Sequence, residues 1–178
     1  MKNILFALVA FLLFIPPMHA QKFDDLDKSP MDVKFIRDHD NAPMIRVIYS
    51  RPQKNGRKIF GGLVPYGEVW RTGANEATEI TLYQDMLVNG KPLSAGTYTL
   101  YSIPNKEEWT IIINRAVYAW GAYEYDSEKD VLRTTAQVET TAAPVEAFSM
   151  TFQPTENGAN LLMGWDDVYV MVPFEKAE

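Results

Sequence analysis

The chain has 178 residues, a formal net charge of −6 at pH 7, two histidines and no cysteine. That acidic balance is a poor match for nucleic acid or an anionic membrane surface, and the missing cysteine excludes disulfides and thiol chemistry. Zinc would have to lean on carboxylates against its preference for nitrogen and sulfur ligands, so neither a metal nor a cofactor is expected.

Residues 1–20 open with Lys2, run through an apolar stretch from Ile4 to Ile15 and close on Pro16-Pro17-Met18-His19-Ala20. A basic start, a short apolar core, helix-breaking prolines and a small exit residue read as a secretory signal peptide cleaved after Ala20. The apolar run is shorter than the roughly 20 residues that span a bilayer, so the mature chain is expected to have no transmembrane segment and to be periplasmic or secreted. Removing the leader leaves 158 residues, takes the formal charge to −7 and leaves His39 as the only imidazole. A Ser-His-Asp triad would rest on that single residue. Residues 21–30 read as a charged, flexible lead-in, and 31–178 as one domain large enough to bury about 70% of the surface its unfolded chain exposes.

Along the mature chain, short apolar runs alternate with period two, and none carries a helical stripe of useful length. Strands are predicted at Met44–Tyr49, at Thr78–Tyr83 with Ile80 and Leu82 inward, and at Met86–Val88 before the Asn89-Gly90 turn. Gly96–Ile103 and Trp109–Ile113 are spaced for an antiparallel hairpin, and Val131–Val138, Phe148–Phe152, Ala159–Trp165 and Val168–Val172 complete the set. The fold expected is all-β with little helix: an antiparallel β-sandwich, jelly-roll or Ig-like.

Several motifs favour structure over chemistry. Tyr98, after Ala95-Gly96-Thr97, has the setting of a tyrosine corner. Asp126-Ser127-Glu128-Lys129-Asp130 spaces oxygen ligands at alternate positions, but Val131 and Gln137 stand where an EF-hand needs glycine and glutamate, so a solvated turn is favoured over calcium. Asp166-Asp167 is read as a β-turn between two strands, because neighbours on an extended segment point to opposite faces and would not flank one bond.

Val69-Trp70-Arg71-Thr72-Gly73-Ala74-Asn75-Glu76-Ala77-Thr78 is richer. Arg71 offers a planar donor fork for an anion, Asn75 can donate and accept, and Glu76 is a candidate base or ligand. Arg51, Arg57 and Lys58 add cations upstream, a conceivable anion patch, although Lys54, Arg57 and Lys58 read more readily as a solvated hairpin edge. The bland reading pairs Arg71 with Glu76 or Glu68 and makes Trp70 a core plug. Trp120-Gly121-Ala122-Tyr123-Glu124-Tyr125 echoes the Gly-Ala-x-Glu pattern. If the strands from 78 to 113 form a four-strand meander, the two loops meet at one end, with Trp120, Tyr123 and Tyr125 as aromatic walls and Arg71, Asn75, Glu76 and Glu124 as polar groups.

Tyr49-Ser50-Arg51-Pro52, Gly56 through Gly61, Leu63 through Thr78, Ala95 through Tyr98 and Trp120 through Tyr123 closely resemble the secreted bacterial family named domain of unknown function 2911. The resemblance implies an exported, compact β-rich domain and carries no established activity or catalytic residue. Three functions follow from the residues. The leading one is a non-enzymatic domain that binds a small anionic or carbohydrate-like ligand through Arg71, Asn75 and Trp120. The others are a hydrolase or isomerase-like enzyme using Glu76 as base and Arg71 as electrostatic stabiliser, and a purely structural or interaction module.

Overall fold

The computed structural model describes residues 21–177, so the predicted leader lies outside the described residues. Its strands are β1 (Met31–Arg37), β2 (Pro43–Ser50), β3 (Thr78–Leu82), β4 (Met86–Val88), β5 (Lys91–Leu93), β6 (Gly96–Ile103), β7 (Glu108–Asn114), β8 (Asp130–Thr155) and β9 (Gly158–Lys176). Among the described residues they pair antiparallel in the order β1-β2-β3-β6-β7-β8-β9-β4-β5. A single turn of 3-10 helix at Ser127–Lys129 precedes β8.

The all-β expectation holds, and the alternation that suggested it has a direct cause. In β3 the residues Thr78, Ile80 and Leu82 are buried while Glu79 and Thr81 lie on the other face, where both bond the Arg46 guanidinium of β2, at 3.0 and 3.1 Å. Ile45, Val47, Ile80, Leu100, Ile111, Ile113, Met163 and Val172 belong to one core cluster. Each such side chain contributes about 2 kcal/mol by leaving water. The Tyr98 hydroxyl donates to the Ser94 carbonyl at 3.0 Å, the corner read from the sequence.

Two expected reversals are absent. The runs at 131–138 and 148–152 belong to one strand, β8, and those at 159–165 and 168–172 to another, β9. These long strands form one hairpin with register shifts between Thr140 and Val145 and between Val145 and Ser149. Asp166 does not sit in a turn between strands: it adopts φ 58° inside β9 and forms an ion pair with Lys54. An aspartate tolerates that left-handed conformation better than most residues, so Asp-Asp bends the strand here without reversing it.

Because the ends of the pairing order share one core, the sheet folds back on itself. β8 is joined to the end of β2 and the residues after it by main-chain bonds, from the Phe148 N–H to the Pro52 carbonyl at 2.9 Å and from the Lys54 N–H to the Glu146 carbonyl at 2.7 Å, and by side chains. The Tyr49 hydroxyl accepts from the Met150 N–H at 2.9 Å and donates to Asp32 at 3.3 Å. Arg51 donates from Nε to the Phe148 carbonyl at 3.2 Å and from Nη2 to Ser149 Oγ at 2.8 Å. Arg51 is therefore part of the fold's closure and is not a candidate for ligand.

Candidate ligand site

The segment between β2 and β3 is organised around Trp70. Its main chain forms an antiparallel bridge with Ser102 of β6, with N–H to O distances of 2.7 and 3.0 Å. The indole lies near-parallel to Trp165, 6.1 Å away at 17°, and meets Phe148 and Trp109 edge-on at 5.0 and 5.9 Å. Offset and edge-to-face contacts of this kind are the favoured aromatic geometries. Trp70 is the core plug anticipated, and its Nε1–H donates to the Gly73 carbonyl at 3.0 Å.

From that anchor the chain makes a tight, polar turn. Thr72 is fully buried at φ 53°, an uncommon conformation for a β-branched residue. Its hydroxyl lies 2.9 Å from Ser102 Oγ, and its carbonyl accepts from Thr78 Oγ1 at 2.7 Å. Asn75, at φ 57°, presents its carbonyl to two donors, Arg71 Nη1 at 2.9 Å and the Gly121 N–H at 3.1 Å.

The second of those bonds joins the two motif loops. Glu76 and Trp120 form an antiparallel bridge, and the Ala77 N–H donates to the Ala119 carbonyl at 2.9 Å. The meander proposed to bring them together is not the cause. Strand β4 pairs with β5 and β9, leaving β3, β6 and β7 as neighbours, and three strands would put the start of β3 and the end of β7 at opposite ends. The loops meet because β7 stops at Asn114, opposite Thr99 and level with Glu79. The chain then crosses β6, where Thr99 donates to the Ala116 carbonyl, and doubles back through Tyr118 at φ 60°.

The predicted site residues divide among three surroundings. Among the described residues Arg71 makes no ion pair, so the anticipated lock onto Glu76 or Glu68 is absent. Arg71 instead lines a cleft of about 290 Å³ together with Arg57, Glu68, Val64, Trp70 and Ser29. Glu76 is exposed and lines a different, smaller cleft of about 210 Å³ with Tyr118, Ile48 and Glu79. Asn75 donates from Nδ2 to Asp27 at 3.0 Å, tying the lead-in to the loop. That bond and the Ser29 N–H hold the Asp27 carboxyl below the usual range, the Ser29 bond acting most strongly.

Trp120, Tyr123 and Glu124 are exposed, and none of them forms the wall of the Arg71 cleft. Tyr125, the last residue of the second motif, is structural. Its hydroxyl donates to Asp130 at 2.7 Å, and burial together with that carboxylate pushes its phenol up to about 12. The other Asp130 contacts, from Asn114 Nδ2 at 2.8 Å and Arg133 Nε at 2.7 Å, fill the carboxylate. Asp126 caps the 3-10 turn by accepting from the Glu128 N–H at 3.0 Å. These oxygens are thus engaged by protein, and among the described residues no group of three or more His, Cys, Asp or Glu is placed to hold a metal.

Two residues gain weight that the sequence did not give them. Arg57 shares the Arg71 cleft, whereas spacing alone suggested a solvated hairpin edge. Tyr118, 87% exposed, lines the Glu76 cleft, and its only signal in the sequence is an aromatic residue between Arg115 and Trp120 in a short loop.

The fold and cleft define an all-β antiparallel domain with a guanidinium-lined pocket beside its most structured loop. The chain belongs to the family described as protein of unknown function (DUF2911), which matches it over residues 30–174. No match was found among curated proteins or among solved structures.

Proposed function

We propose that this is an exported domain that binds a small anionic ligand in the cleft between Arg57 and Arg71. The observation that carries the reading is the state of Arg71: one N–H is fixed on the Asn75 carbonyl, no carboxylate lies in ion-pair reach among the described residues, and a second guanidinium lines the same cleft. Arg57 donates from Nε to the Lys54 carbonyl at 3.0 Å and from Nη2 to the Gln53 carbonyl. Two positively charged guanidinium groups, each partly engaged by main chain, thus face one cleft beside Glu68. In a chain of net charge −6 they favour a carboxylate, phosphate or sulfonate held by charge-assisted bonds. Leu63, Val64 and Pro65 form an apolar wall for the rest of the ligand. The basic start and short apolar run of residues 1–20 support export, and a two-layer sandwich is the arrangement we infer for the folded sheet.

The separation of Glu76 from Arg71 supports binding over a hydrolase or isomerase-like reaction, since a base and an anion stabiliser must face one substrate. Isothermal titration with inorganic phosphate, citrate and short N-acetylated peptides tests the proposal. Binding to at least one probe, weakened by added salt and by about tenfold in Arg57→Gln and in Arg71→Gln, is expected. No heat with any probe, or full affinity in both variants, overturns it.

A further inference from the structure

Three of the four tryptophans pack in the aromatic core, whereas Trp120 is 60% exposed. Its loop neighbours Tyr118 and Tyr123 are 87% and 81% exposed. Such a concentration of solvated aromatic surface on one short turn is unfavourable unless something covers it.

The turn carrying them is rigidly built. Its main chain is fixed to the preceding motif loop by the Glu76–Trp120 bridge and by bonds at Ala119 and Gly121, and on the other side by the Tyr125–Asp130 bond. Tyr118 holds φ 60°, a conformation that costs a bulky L-residue about 1–2 kcal/mol. Strain of this sort persists where the surroundings over-determine it and clusters at binding surfaces. Gly121 holds φ 70°, which favours glycine, and a Cβ there would lie 2.8 Å from the Tyr123 ring and 3.3 Å from Arg71 Nη1, the nitrogen that donates to the Asn75 carbonyl.

The polar groups among these rings select the ligand. Glu76 and Glu124 are exposed carboxylates on the same two loops, and Glu76 lines the smaller cleft beside Tyr118. Ionised carboxylates only accept hydrogen bonds. Carboxylates are depleted from the centre of protein interfaces, and with a net charge of −6 they oppose anionic lipids and acidic glycans. An uncharged sugar matches both features, since its C–H faces stack on aromatic rings and its rim hydroxyls donate to carboxylates.

We propose that Tyr118, Trp120 and Tyr123, with Glu76 and Glu124, form a platform for an uncharged polysaccharide, adjoining the Arg57–Arg71 cleft at Gly121 without lining it. The test is affinity electrophoresis and pull-down of the full mature chain with cellulose, chitin and laminarin, alongside alginate as an acidic glycan. Retention by at least one uncharged glycan is expected, with about tenfold weaker binding in Trp120→Ala. Tyr118→Asn should weaken it in the same direction, because asparagine removes the ring yet tolerates the left-handed backbone. The bound glycan should also shield Trp120 from acrylamide quenching, a signal that the core tryptophans do not give. Near-UV circular dichroism checks that both variants keep the aromatic core. The proposal is overturned by no retention on the three uncharged glycans, by stronger retention on alginate, or by unchanged binding in a folded Trp120→Ala.

Discussion

Arg71 reaches across its own turn to the main-chain carbonyl of Asn75, 2.9 Å from Nη1, and leaves the neighbouring Glu76 carboxylate exposed. Arg71→Ala should therefore lower the unfolding free energy by about 1 kcal/mol, whereas Glu76→Gln should leave it within measurement error. Urea unfolding of the two variants checks this. Equal losses would restore an ion pair between the two side chains.

The same turn depends on Asn75 holding φ 57°. Alanine pays the left-handed steric penalty that glycine escapes, and both lose the amide bond to Asp27. Asn75→Ala should consequently be less stable than Asn75→Gly by about 1 kcal/mol. Thermal melts of the pair suffice, and a glycine variant no more stable than the alanine variant would show that backbone conformation is not the controlling factor.

Tyr49→Phe keeps the buried ring and removes the oxygen that accepts from Met150. Burial raises the Tyr49 phenol above its usual value, and the Met150 N–H bond only partly offsets this. A buried N–H left without a partner costs about 1–3 kcal/mol. Hydrogen exchange should accelerate at Met150 in particular, and a variant with wild-type stability and exchange would contradict the closing role of Tyr49.

Alkaline pH should destabilise the protein through Tyr125. Its folded-state value of about 12 lies above the value near 10 of an unfolded tyrosine, chiefly because of burial and then the Asp130 carboxylate. The neutral phenol is thus favoured by folding: the contribution is complete below pH about 10 and is lost as pH rises toward 12. Tyr49, Tyr101 and Tyr169 are also raised, so spectrophotometric titration of tyrosinate should show a set of late phenols that loses one member in Tyr125→Phe, and the variant's stability should fall less between those pH values.

Much of this fold is legible in local pattern, because a strand with one buried face must alternate. Ile80 and Leu82, or Phe148 and Met150, announce their strands in that way. Strand β1 escapes for the complementary reason: Met31, Val33 and Phe35 are the exposed residues, and Asp32 turns toward Tyr49 and Arg51. Alternation there does not mark the core face. Asp166 shows another limit, since its turn chemistry is genuine but an ion pair to Lys54, far away in sequence, lets the strand continue. At the site, sequence identified the residue types of both motif loops and their proximity but not the route between them. Arg71's choice of a carbonyl over a carboxylate, and the different clefts reached by Arg71 and Glu76, depend on main-chain directions that residue types do not encode.

Tyr49 and Met150 also set a schedule. A bond between residues so distant in sequence has to wait for its second half, and sheets dominated by such pairings fold slowly. A ribosome delivers β1 to β7 well before the β8 edge that Tyr49 and Arg51 complete. The early strands therefore carry an incomplete edge until the second half of the chain has been made.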